Sequence, residues 1–141
     1  MKFYLLILGC LIFPQTDCVD GRYIDSLFDV EVTYGIQYGG NTSENILGSE
    51  FWQDLYMDIY EPAGDTLDDR PIIFFMYGGS FISGSTDSWD IVSLCNNYAS
   101  KGYVAVAIDY RLTPSLIFNP TSQKAYEAVI KGIHDLKAAI R

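Results

Sequence analysis

Hydrophobic and polar positions along the chain change period several times, and each change marks an element. Between Phe28 and Tyr38, Val30, Val32, Tyr34, Ile36 and Tyr38 alternate with polar residues. A period of two predicts a half-buried strand, antiparallel and near a sheet edge. Gly39 to Asn45 has loop composition, and Asn41-Thr42-Ser43 fits a glycosylation acceptor, a pattern without meaning in a bacterial export pathway. Leu55 to Tyr60 alternates again, with Leu55, Met57 and Ile59 on one side, and closes at the turn sequence Glu61-Pro62-Ala63-Gly64-Asp65. These two strands and the next are expected to form a β-meander.

The pattern then loses its polar members. Pro71 introduces the apolar run Ile72-Ile73-Phe74-Phe75-Met76, which breaks into Tyr77-Gly78-Gly79-Ser80-Phe81. Such a run predicts a strand buried on both faces that delivers its chain to a tight loop. Asp87 or Ser88 is placed to cap a helix carrying Ile91, Val92, Leu94, Cys95, Tyr98 and Ala99 at helical spacing, and Gly102 is placed to end it. Tyr103 to Ile108 is a second buried strand. Strand, loop, helix and strand make a βαβ unit with a parallel sheet and a right-handed crossover. After an irregular segment from Ser115 to Pro120, a helix starting near Thr121 or Ser122 is expected to bury Ala125, Ala128, Val129, Ile133, Leu136, Ala139 and Ile140. It reaches Arg141 without a stop signal, so the chain reads as the N-terminal part of a larger protein, with residues 19–141 forming part of one domain.

The remaining segment precedes all of this. Met1-Lys2, the apolar run Phe3 to Phe13 and Pro14-Gln15-Thr16-Asp17 follow the order of a secretory signal, assigned to residues 1–18, and the run is too short to span a bilayer. The alternatives are a buried N-terminal element or a lipid attachment at Cys10. A secreted, periplasmic or cell-surface location follows from the signal reading. Cys18 and Cys95 would then remain in an oxidising compartment, free to pair with each other or outside the chain, although Cys95 sits among Ile91, Val92, Leu94 and Tyr98 and reads more simply as core.

Composition narrows the functional classes. Of 141 residues 49% are hydrophobic and 15% aromatic, which excludes a disordered chain. Nine basic against 18 acidic residues give a net charge of −9, which argues against a nucleic-acid partner. No His/Cys cluster has metal-ligand spacing and no glycine-rich motif has nucleotide-binding form, so no cofactor is expected. Consecutive glycines at the end of a buried strand can instead turn backbone N–H groups outward, and two such donors stabilise the oxyanion of acyl transfer.

Several ordered motifs carry a family resemblance. Leu55 to Pro62, then Tyr77-Gly78-Gly79-Ser80-Phe81 with Ser83-Gly84-Ser85, then Gly102 to Leu112, together with the helix Ala128 to Arg141, resemble α/β-hydrolase esterases over about residues 22–141. They are most similar to secreted bacterial carboxylesterases and lipases of the hormone-sensitive-lipase and type B carboxylesterase kinds. The resemblance implies an α/β fold in which N-terminal antiparallel strands lead into a parallel sheet flanked by helices, here truncated. It also implies a carboxylic ester hydrolase acting through a serine acyl-enzyme on a small-molecule ester.

In that family the loop reads His-Gly-Gly-Gly, and its second and third glycines supply the oxyanion-hole N–H groups. The matching oxyanion-hole positions are Gly78, Gly79 and Ser80, with Gly78 setting the turn, Gly79 and Ser80 donating, and Tyr77 in place of the histidine as in many type B carboxylesterases. Serine at the third glycine departs from the pattern. None of the triad is present, because no Gly-x-Ser-x-Gly occurs and the nucleophile, acid and histidine are expected beyond Arg141. Ser80 as a nucleophile lacks an elbow and a base, His134 on the last helix reads as a surface or interface residue, and Asp109 with Tyr110 and Arg111 reads as structural. The alternatives are a catalytically silent surface or adhesion module of the same fold, or an inactive fragment.

Overall fold

The structure, a computed structural model, describes residues 21–141. The signal segment, Cys10 and Cys18 lie outside the described residues. Four strands form one sheet in the order β1-β2-β4-β3, built from β1 (Val30–Glu44), β2 (Glu50–Pro62), β3 (Ile72–Met76) and β4 (Val104–Ile108). Helix α1 (Trp89–Ala99) joins β3 to β4, a short 3-10 turn covers Pro114–Ile117, and α2 (Ser122–Ala139) follows.

The expected βαβ unit is present. β3 and β4 pair in parallel from Ile72↔Val104 to Met76↔Ile108, whereas β1–β2 and β2–β4 are antiparallel. The meander stops at two strands, because β2 takes β4 rather than β3 as its second neighbour. β3 therefore lies at the sheet edge opposite β1, and Ile72 is 56% exposed rather than buried on both faces.

The first hairpin is longer than its alternation suggests. β1 continues through the Gly39–Glu44 stretch expected as loop, with Gly40 opposite Asp54 and Glu44 opposite Glu50. A Cβ at Gly40 would lie 2.9 Å from the exposed Trp52 ring, which would have to shift to admit a larger residue. Register shifts between Thr33 and Ile36 and between Gln37 and Gly39 break the single apolar side, and Tyr34 is left exposed. Such bulges bend and twist a strand.

β4 is the centre of the core because its alternate residues serve two faces. Ala105 and Ala107 pack with Tyr60, Phe75 and the α1 residues Ile91, Cys95 and Ala99. Val106 and Ile108 pack with Met57, Ile59, Phe74 and the α2 residues Leu136 and Ala139. Ile108 is fully buried, so truncating it to alanine removes roughly 2–5 kcal/mol.

A side-chain cap explains the start of α2 but not of α1. Thr121 Oγ1 accepts the Lys124 N–H at 3.2 Å at the head of α2. Ser88 occupies the cap of α1, but its hydroxyl donates to the Ser85 carbonyl instead of capping. Gly102, at φ +101, closes α1 with its N–H on the Ala99 carbonyl. The apolar stripe expected on α2 is displaced. Its buried residues are Ala128, Gly132, Asp135 and Ala139, while Ala125, Val129, Ile133 and Ile140 are exposed.

Candidate active-site loop

Strand β3 ends at Met76, and the backbone then enters the left-handed region at three consecutive residues. Gly79, Ser80 and Phe81 have φ of 125°, 55° and 62°. Gly79 is required twice over, by its φ and because a Cβ would stand 1.9 Å from the Ser83 carbonyl oxygen. Its own carbonyl accepts the Ile82 N–H at 3.0 Å, which closes the turn. Gly78 has no left-handed angle and its missing Cβ would touch nothing, so the turn is made one residue later than at Gly78. Among the described residues no protein acceptor takes the N–H of Gly79 or Ser80, and both residues are exposed.

The chain leaving β4 fastens this loop at both ends. Tyr77 is buried, its hydroxyl donates to Asp109 Oδ1 at 2.8 Å, and its ring stacks on Tyr110 with centroids 4.5 Å apart. In return the Tyr110 hydroxyl donates to the Tyr77 carbonyl at 2.8 Å. Further along, the Thr113 N–H donates to the Phe81 carbonyl at 2.6 Å. Gly84, at φ +129, returns the loop against the Tyr77 ring, where a Cβ would come within 2.4 Å of the ring.

Asp109 is the acceptor in this arrangement, as its structural reading implied. Tyr38 also donates its hydroxyl to the Asp109 carbonyl, tying β1 to the same corner. Burial pushes the Asp109 carboxyl above its ordinary value, the Tyr77 hydrogen bond opposes this, and the Asp135 and Asp58 charges add to it. Burial likewise raises the Tyr77 and Tyr110 hydroxyls, so both stay protonated donors.

Helix α2 approaches the loop closely because Gly132 faces it. A Cβ there would lie 3.2 Å from the Phe81 ring and 3.4 Å from the Met76 methyl. Phe81 packs edge-on to Tyr110 at 5.8 Å. One turn away Asp135 receives the Arg111 guanidinium and backbone N–H. This pairing was not visible in the sequence, which separates the two residues by 24 positions.

The remaining sequence candidates stay apart from the loop's chemistry. His134 is exposed on α2, and no hydrogen bond joins Ser80 to a base among the described residues. Cys95 is a fully buried free thiol whose pKa burial pushes up to about 12, in keeping with a core role. Among the described residues no group of three or more His, Cys, Asp or Glu side chains could hold a metal, and no helix is long and apolar enough to cross a membrane.

With this geometry established, comparison with known proteins is informative. The BD-FAE family model matches residues 57–141. Lipase 2 of Geotrichum candidum is 28% identical over 89 residues, which cover 61% of this chain and 16% of the lipase. Neuroligin-like protein glit-1 of Caenorhabditis elegans is 37% identical over 60 residues, covering 41% of this chain and 8% of that protein. The chain therefore spans only a small part of these curated relatives. Inhibited esterase B from Lactobacillus rhamnosis superposes with a TM-score of 0.52 at 22% identity, over 86% of this chain and 33% of the esterase. The fold is that of the α/β-hydrolases, here as a partial mixed sheet with helices.

Proposed function

The chain belongs to the BD-FAE family, and from that premise we propose that the full-length protein hydrolyses small carboxylic esters through a serine acyl-enzyme, with residues 77–81 supplying its oxyanion hole. The observation that carries this reading is the loop at the C-terminal end of β3. Among the described residues the N–H groups of Gly79 and Ser80 have no protein acceptor, in a turn clamped from both sides by the chain after β4. Fixed donors of this kind stabilise charge as it develops on the carbonyl oxygen and need no reorganisation during the reaction.

The serine, acid and histidine of this mechanism are assigned to the protein beyond Arg141. The serine would attack the ester carbonyl, its proton passing to the histidine. The tetrahedral oxyanion would rest on the Gly79 and Ser80 N–H groups, and the alcohol would leave with the histidine's proton. No cofactor enters the scheme. Export of the mature protein to the cell surface or medium completes the proposal, on the charged-apolar-polar order of residues 1–18.

The test is hydrolysis of short-chain p-nitrophenyl esters by the folded full-length protein. Turnover supports the reading, and no turnover from a folded protein that contains a downstream Gly-x-Ser-x-Gly serine rejects it. One observation favours a second reading, a catalytically silent module. Ser80 places an exposed side chain at a left-handed position where the family pattern has glycine. Restored turnover in Ser80→Gly would separate the two readings.

A further inference from the structure

Tyr77, at the root of the loop, is engaged through its hydroxyl, its carbonyl and its ring. It is buried, and each of its parts has a separate partner. The hydroxyl donates to Asp109 Oδ1 at 2.8 Å and lies 3.3 Å from the Tyr110 carbonyl. The carbonyl accepts from the Tyr110 hydroxyl, so residues 77 and 110 exchange hydrogen bonds across a stacked ring pair. The ring edge is the surface against which Gly84 turns back, at a distance that no Cβ could tolerate.

Two residues further on, the backbone occupies three left-handed angles in succession, two of them at residues with side chains. Such a conformation is disfavoured at residues other than glycine and persists only where its surroundings enforce it. The enforcing contacts are visible: the Tyr77–Asp109 and Tyr110–Tyr77 hydrogen bonds before the strained residues, and the Thr113–Phe81 hydrogen bond after them. The Tyr77 hydroxyl, one residue past the end of β3, is the side-chain donor among these contacts that comes from the loop itself.

We propose that Tyr77 is a positioning residue, acting through its hydrogen bond to Asp109 to hold the N–H groups of Gly79 and Ser80 in a single orientation. The proposal rests on the ester-hydrolase reading for its kinetic consequence, but not for its structural one. Tyr77→Phe removes the hydroxyl and keeps both the ring stack on Tyr110 and the wall facing Gly84. Asp109→Ala removes the acceptor, whereas Asp109→Asn keeps an oxygen in its place.

The experiment uses the full-length protein with p-nitrophenyl butyrate, and active sites are titrated with a phosphonate so that kcat refers to folded enzyme alone. Tyr77→Phe is expected to lower kcat by about 10- to 100-fold with KM within about twofold, the signature of misaligned transition-state donors. Asp109→Ala should do the same, Asp109→Asn should retain more of kcat than Asp109→Ala, and the Tyr77→Phe/Asp109→Ala double variant should be no worse than either single one. Additive losses, or a fall in titrated sites with kcat per site unchanged, would overturn the proposal in favour of a purely structural role.

A wild-type protein without turnover would reject the hydrolase reading and leave a second measurement to decide this one. Amide hydrogen exchange at Ile82 and Thr113, whose N–H groups donate to the Gly79 and Phe81 carbonyls of the loop, should be about tenfold faster or more in Tyr77→Phe than in wild type, with α1 and β4 unchanged. Equal exchange in the loop would overturn the proposal.

Discussion

The Arg111 guanidinium and the Asp135 carboxylate meet at 2.8 Å with side chains only 7% and 4% exposed, and the Arg111 backbone N–H donates to the same carboxylate at 2.9 Å. The pair joins the chain leaving β4 to the middle of α2. Arg111 Nη1 also reaches the Thr42 carbonyl, so the first hairpin is held in the same knot.

Removing one partner strands a buried charge. Asp135→Ala is expected to cost about 3–5 kcal/mol, read from urea or thermal unfolding. A joint replacement of both residues by apolar ones of similar volume should recover most of that loss. A cost below about 1 kcal/mol for Asp135→Ala would mean that Arg111 finds water instead.

Ser80 sits at φ 55° with its side chain exposed, so glycine would relieve a left-handed strain and lose no buried contact. Ser80→Gly should raise stability by about 1 kcal/mol as the midpoint of urea unfolding, with the m value unchanged. A destabilised variant would show that the serine hydroxyl anchors the loop.

Asp109 gives the fold a pH dependence of definite sign. Its folded pKa is raised by burial above the ordinary 3.8, so the folded state holds the proton more tightly than the unfolded chain. The stability from this group is full below 3.8 and is lost as pH rises through the raised folded value. Asp109→Asn lacks this term and can still accept from Tyr77. As pH rises above the ordinary 3.8 its stability should therefore gain on wild type until the folded-state carboxyl has lost its proton, as urea midpoints compared pH by pH would reveal. A constant difference would place the carboxyl in an environment as polar as water.

Gly132 balances two effects of similar size. Alanine in a helix interior is favoured over glycine by about 0.8–1 kcal/mol, but its Cβ would press on the Phe81 ring at 3.2 Å and the Met76 methyl at 3.4 Å. Both contacts are side-chain ends that can move by a few tenths of an ångström. Gly132→Ala should change stability by less than about 1 kcal/mol, while the larger Gly132→Leu destabilises and shifts the Phe81 end of the loop. Differential unfolding and ester turnover measured together would show this.

The sequence disclosed some of this arrangement and hid the rest for identifiable reasons. The unit β3–α1–β4 was legible because uniform apolar runs and a helical period are local signals, and Gly102 marked the end of the helix. The span of β1 was not, because Gly39-Gly40 reads as loop unless Trp52 and Asp54 are known to lie opposite. The buried side of α2 was misread because it is lined by Ala128, Gly132 and Ala139 and by a charge neutralised 24 residues away, not by the bulkier Val129 and Ile133. At the loop, glycine spacing pointed to residues 78–80. The clamp from Asp109, Tyr110 and Thr113 needed the parallel register that sets the ends of β3 and β4 side by side.

In the proposed mechanism Gly79 and Ser80 serve a nucleophilic serine, which a phosphonate traps as a covalent adduct resembling the tetrahedral intermediate. The folded full-length protein, incubated with a p-nitrophenyl alkyl phosphonate, should release about one equivalent of p-nitrophenol and carry one phosphonyl group on a single serine, with loss of ester turnover in parallel. A folded protein that releases no p-nitrophenol and gains no mass would rule out a nucleophilic serine.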